Sequence, residues 1–425
     1  MNTYAKAKGG WPAVAAVAAG TFSVVTSEML PVGLLTPIGA GLGVPAGTAG
    51  LTMTVPGLVA AVAAPAVPAA AGRLDRRWVL VGLMGLLAAA NLLSALAPHI
   101  AVLVGLRVLV GVCIGGVWAV AAGLAVRLVP ARSVGPATSL VFSGIAVASV
   151  LGVPAGTLAG GLGGWRAAFA AMGAVSLVVA VVLAVLLPPL PPERAVRLGE
   201  VTGLLRLPAV RAALLVVLLL VTGHFAGYTF VRPALERLSG AGAGAGLISG
   251  LLLAYGAAGV AGNFLAGSAA ARGPHRALPV ISAALAVVIP AMSVPAGGAV
   301  AAGALVVGWG LAYGGVSVST QGLLTAAAPG AREAASALFV SVFNAAIALG
   351  ALLGGRAVDA VSLPAALWLG GLLAAGALGV LVLGVRAPGV RLTGRGARPA
   401  DSGRLRRTPA KSGPPALGES PAGPR

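Results

Sequence analysis

Glu28 is the first residue whose type and place suit it to chemistry. It lies in Thr21–Pro37, TFSVVTSEMLPVGLLTP, the outer half of a long apolar stretch. Of the nine acidic residues in the chain, it alone sits well inside a hydrophobic run. A carboxylate there costs free energy unless it is protonated, paired or wet. One reading is a Glu hydrogen-bonded to Ser23, Thr26 or Ser27 with no further role. The other is a proton-carrying site, and it is favoured because acids inside membranes mark ion and substrate paths.

Arg107 begins Arg107-x3-Gly111-x3-Gly115, also within an apolar stretch. A guanidinium keeps its charge, so it needs a partner, water, or a reach to the nearby interface. The spacing of small residues after it suits close helix packing. His224, Tyr228, Asn263, Gln321 and Asn344 are the polar groups scattered through the apolar second half. Each can hydrogen-bond a ligand in a cavity or a neighbouring helix. His224 stands out because imidazole titrates near neutral pH.

Other chemistries find no support. Three His, one Cys and few acids show no metal-ligand spacing. No phosphate-binding Gly-rich loop with its Lys is present, so direct nucleotide driving is not expected. No Ser–His–Asp arrangement can be assembled. Cys113 is the only cysteine, which excludes an intramolecular disulfide.

The elements that must position these residues are membrane helices. Hydrophobic residues make up 58% of the 425 and charged residues 9%. Soluble domains carry about 25% charged residues. The mean hydropathy is +1.01. Spans are expected at about 11–37, 47–71, 78–97, 101–128, 136–161 and 165–187, then 209–231, 245–270, 277–294, 298–325, 334–355 and 364–385. The first is too long for a signal-peptide core and reads as an uncleaved span. A cytoplasmic lead (1–10) precedes a first bundle (11–187). A Pro-rich charged linker (188–208) joins it to a second bundle (209–386). A basic tail (387–425) of Pro, Gly, Ser and Arg is expected to be disordered.

Positive charge sets the orientation. The termini and the loops on their side hold most of the Lys and Arg. The opposite side holds only Arg166, Arg232, Arg237 and Arg356. Both termini are therefore expected in the cytoplasm of a cell with a multi-pass protein in its plasma membrane. The net charge of +19 sits in loops and tail, which argues against nucleic-acid binding. The halves also echo each other. Gly152 and Gly156 match Gly350 and Gly354 at a constant offset, and Pro130-Ala-Arg132 resembles Pro329-Gly-Ala-Arg332. A parallel repeat of six spans implies two bundles around a central cavity.

Four stretches are similar to the major facilitator superfamily, in particular its twelve-span drug:proton antiporters near the arabinose-efflux and chloramphenicol-resistance branch. Gly72-Arg73-Leu-Asp75-Arg76-Arg77 resembles the family's gate loop. The resemblance implies that Asp75 sits near the N-terminus of the eleventh span, across the junction of the halves. The second-half copy, Gly267–Arg272, lacks the acid. The Arg107 stretch resembles the family's fourth-span motif. The run from Ser143-Gly144 through Gly152-Val-Pro154, Gly156 and Gly160 resembles the fifth-span antiporter motif, with one residue inserted between Gly152 and Pro154. The polar residues around His224 resemble those that relatives carry in the second half.

The resemblance implies an all-α membrane protein of twelve helices in two six-helix bundles, the major facilitator fold. It also implies a proton-coupled exporter of a small molecule such as a drug or sugar, not an enzyme, working as a monomer without cofactor. Its partners would be a small-molecule substrate, protons and the lipid bilayer. Glu28 and Arg107 are expected at one depth beside one cavity, influencing each other. A sugar or nucleoside importer or uniporter is a second reading, and a non-transporting membrane scaffold a third.

Overall fold

A computed structural model of the chain describes residues 10–72, 74–121, 124–191, 203–239, 244–272, 274–294 and 298–386. Arg73 of the gate loop, most of the lead and linker, and the whole tail lie outside the described residues. The rest is helical, as lipid demands of a backbone that cannot hydrogen-bond to solvent.

The first half contains α1 (Gly10–Leu42), α2 (Ala46–Ala71), α3 (Arg76–Ala95) and α4 (Ile100–Ala121). Then α5 runs from Val134–Val147 through a π-helical turn, Ala148–Gly152, into the long segment Val153–Leu186. That segment kinks at Gly164, whose φ of 77° and ψ of 164° suit only glycine. The part beyond the kink is α6. The second half contains α7 (Pro208–Tyr228), a short helix Val231–Ser239, α8 (Ala245–Arg272) and α9 (Pro274–Ala291). It continues with α10 (Ala299–Gly314 and Val316–Ala327), α11 (Arg332–Ala360) and α12 (Leu363–Arg386). Among the described residues, ten apolar stretches are long enough to cross a membrane; one of them, Ala131–Leu186, is divided by the kink at Gly164, and Ala277–Ala291 is a shorter apolar helix.

Three boundaries differ from expectation. The first span was expected to end near Pro37, yet α1 runs through Pro31 and Pro37 to Leu42. Neighbouring helices absorb the backbone bonds that proline forfeits inside a membrane bundle. Thr229 and Phe230 interrupt the seventh span, and an unforeseen amphipathic helix, Val231–Ser239, follows. The tenth span is broken at Gly315.

Glycines let the helices touch. Gly144, Gly152, Gly156 and Gly160 of α5 face Thr21, Thr26, Leu30 and Leu34 of α1. Thr26, Leu30 and Leu34, each four residues apart, lie along one face of the helix. The π turn lies directly before Val153-Pro154. A π turn takes up one extra residue, which accounts for the inserted position in this motif. In the second half, Gly350 and Gly354 of α11 face Thr222, Phe225 and Ala226 of α7. The glycines at equal offset thus do equal work, docking the fifth helix of each half onto its first. Gly111 and Gly115 dock α4 on α2, where a Cβ on Gly115 would stand 2.6 Å from the Ala64 nitrogen.

Two buried apolar clusters come mainly from the first half and one from the second. The second-half cluster also takes in Val32, Met53 and Val153. We call the end where α1 begins the terminal face and the other the far face. The two halves meet at several described points. These include Gly47 with Gly355 and Asp359, Gly161 with Ala245, Gly57 with Asn344 and Ala348, and Gly256 with Val150.

Candidate functional site

Ser27 is the hub of the first half. Its hydroxyl accepts from Asn91 Nδ2 of α3 at 3.0 Å. Its carbonyl accepts from Arg107 Nη1 of α4 at 2.9 Å. Arg107 is fully buried and lies 4.6 Å from the centre of the Phe169 ring of α6. It does not reach for the interface. Its Nε and Nη2 have no partner. The arginine therefore fixes α1 through the backbone beside Glu28 and makes no ion pair with the Glu28 carboxylate. Asn91 was not legible as a site residue because one amide in an apolar span signals nothing by itself.

Glu28 is 5% exposed, and its Oε1 has no hydrogen-bond partner. Neither Ser23 nor Thr26 satisfies it, since their hydroxyls are also buried and unpaired. The reading of Glu28 as a locally satisfied residue therefore loses its support. Its stretch of α1 adjoins the second half, where Arg232 donates to the Gly33 carbonyl. The adjacent Met29 packs on the second-half core. An unpaired buried acid at the junction of two bundles can take up and release a proton, or accept a hydrogen bond from a ligand.

His224 and Tyr228, both buried, belong to an aromatic group of the second half that includes Tyr255, Trp309 and Tyr313. The other expected cavity residues do not join them in one contact group. Asn263 and Gln321 are exposed. Asn344 is buried but donates to Val340 of its own helix at 2.9 Å. Tyr255, Trp309 and Tyr313 were missed. Their signal was scarcity, for the chain has only four tyrosines.

The gate loop takes a local arrangement. Asp75 caps α3 by accepting from Arg77 N at 2.8 Å. Both its oxygens accept from Leu190 N, at 2.9 and 3.0 Å. Arg76 N donates to Leu190 O at 2.9 Å, and Arg77 reaches the Ala184 carbonyl. The expected place near the start of α11 is thus not where Asp75 is held. Its carboxylate holds Leu190, just past the end of α6, within its own half. Gly72, with φ of 44°, turns the chain out of α2 into this loop.

The far face holds the polar clasp between halves. The carboxylate of Asp359, at the end of α11, accepts from Gly47 N in the first turn of α2 at 2.8 Å. Pro45, the cap residue of α2, supplies no side-chain bond, so Asp359 caps that helix from the other half. Glu236 accepts from Thr36 Oγ1 at 2.9 Å and pairs with Arg232 at 2.8 Å. Arg232 also donates to the Gly33 carbonyl. Among the described residues, no group of His, Cys, Asp and Glu is arranged to hold a metal.

Comparison with known proteins agrees with this architecture. Residues 17–339 match the family model described as Major Facilitator Superfamily. The chain is 35% identical over 366 residues to "Transcription regulatory protein OpdE" of Pseudomonas aeruginosa, covering 84% of this chain and 90% of that one. It is 32% identical over 390 residues to "Purine ribonucleoside efflux pump NepI" of Salmonella paratyphi A, covering 91% and 96%. The fold resembles the crystal structure of a point mutant of the nucleoside transporter NupG, with a TM-score of 0.69 and 14% identity over 87% of this chain and 98% of that one. It also resembles a bacterial homologue of the human lysosomal transporter Spinster in an inward-facing, occupied conformation. There the TM-score is 0.67 and identity 16%, over 89% of this chain and 96% of that one. The chain is a transporter of the major facilitator superfamily.

Proposed function

We propose that the protein exports a small molecule of the purine ribonucleoside class in exchange for protons. The carrying observation is Glu28, a buried carboxylate with an unpaired oxygen at the junction of the halves. Its protonation is cheap when it is buried and its ionisation is cheap when water reaches it. Each face-opening in turn therefore changes its proton load, which is what coupling requires. The substrate class is carried over from the name of the Salmonella relative. The regulatory term in the Pseudomonas name is said of that protein. The described residues here are almost wholly bilayer-length helices, which suit transport rather than base readout.

On this reading the terminal face is cytoplasmic and the membrane is the plasma membrane, which the charge distribution in the loops favours. The clasp then closes the outside and leaves the site to be loaded from within, as an exporter needs. Arg107 and Asn91 hold α1 at Ser27, beside Glu28.

Uptake into inverted vesicles tests the reading. Labelled inosine should accumulate when the interior is made acidic and should stop when a protonophore collapses the gradient. If neither nucleosides nor a panel of sugars and drugs moves with the gradient, the reading falls. The gate loop gives a separate expectation. Asp75→Asn keeps an acceptor for Arg77 N but loses the charge that holds Leu190 N. Transport should slow while substrate affinity stays within a few-fold, and an unchanged rate would remove Asp75 from gating.

A further inference from the structure

Three of the four tyrosines in the chain meet at one point in the membrane. They come from α7, α8 and α10 and stack with His224. Tyr313 lies 3.3 Å from the imidazole, centroid to centroid, with planes 9° apart. Tyr228 lies 4.9 Å from the imidazole at 21°, and Tyr255 lies 4.9 Å from Tyr228 at 29°. Phe225 and Trp309 stand edge-on to His224, at 88° and 78°. The other ring contacts of the chain are isolated pairs, such as Trp118 with Phe142 and Trp165 with Phe169, so a cluster of this size is more than helix packing uses elsewhere among the described residues.

The imidazole is held in one form. Trp309 Nε1 donates to His224 Nδ1 at 3.0 Å. An indole N–H can only donate, so Nδ1 must present its lone pair. The ring hydrogen is then on Nε2. That nitrogen is buried and has no partner. A second proton on Nδ1 would point into the indole N–H, so the contact holds His224 as a neutral donor. An unpaired buried donor among stacked rings calls for an acceptor.

We propose that this aromatic group is the recognition site for a planar heteroaromatic ring. An acceptor on the ring's edge takes the His224 Nε2–H, its face lies against the tyrosines, and Trp309 sets the tautomer. The inference rests on the transport reading above and narrows its substrate. Ligands lacking a ring bind poorly, because they gain neither the stacking nor the edge contact. Trp309 is a positioning residue here, acting through His224.

Equilibrium binding of labelled inosine to the purified full chain in lipid nanodiscs tests this. Wild type should bind, and excess ribose should not compete. His224→Ala should weaken binding roughly tenfold to a hundredfold, in the range of a lost stacking and hydrogen-bonding partner. His224→Gln restores an N–H donor and should recover part of the loss, which a purely structural role would not predict. Trp309→Phe keeps an aromatic ring but no N–H, and should weaken binding several-fold. Melting curves of the variants identify any that fail to fold. The proposal is overturned if ribose competes as well as inosine, or if His224→Ala binds like wild type. It is also overturned if wild type binds none of inosine, adenosine and guanosine. Proton-driven flux of a non-aromatic solute alone in the vesicle assay would leave proton-coupled export standing and remove both the nucleoside class and this site.

Discussion

Glu28→Gln is expected to abolish proton-driven accumulation while leaving downhill flux. Gln has nearly the size and shape of a protonated Glu but cannot release a proton. With one proton exchanged per substrate, a gradient of about one pH unit supports about tenfold accumulation, since each unit is worth roughly 1.4 kcal/mol. The variant should equilibrate to a ratio of about one instead. Substrate binding should persist, because the amide still offers an acceptor where Glu28 Oε1 stands unpaired. The measurement is substrate concentration inside proteoliposomes at steady state, with only a pH difference imposed. Accumulation by the variant equal to wild type would show that Glu28 is not the coupling site. The neutral form of His224 enforced by Trp309 makes that residue a poor substitute carrier.

Asp359→Ala should shift the protein toward opening at the far face. The carboxylate caps α2 from the opposite half, and losing such a cap costs about 1 kcal/mol, up to ~2 in well-formed cases. That corresponds to roughly a fivefold to thirtyfold change in the ratio of closed to open forms. Glu236 forms a second clasp, between the short helix Val231–Ser239 and α1. Removing both should add nearly in full, because the two clasps share no partner. Spin labels at Ala40 and Val361, both exposed on this face, would report the change. The background needs only Cys113→Ser, since Cys113 is the sole cysteine. A distance distribution in the double variant identical to wild type would rule the clasp out as a gate.

The helices themselves were legible in the residues. Long apolar runs, with charges confined to the gaps, permit little else in a bilayer, so the helices and most of their boundaries could be read directly. The glycine offsets announced the repeat, and the structure gives both pairs the same docking role. Glu28 and Arg107 were visible because charge inside an apolar run is rare. Partners were not visible. Arg107 turns to the Ser27 carbonyl, and a backbone acceptor has no sequence signature. Asp75 binds the end of its own half instead of the start of α11, because which contacts form depends on which face is closed. Asp359 carries no signal of its partner, Gly47, which lies 312 residues away in sequence and one hydrogen bond away in space. The three tyrosines lie on three helices, and only their packing makes them one site. Composition and period thus determine what can enter the membrane, since each residue meets lipid or protein by its own chemistry. Pairings across helices and between halves belong to tertiary structure, because they depend on helix rotation and on the state of a molecule built to change it.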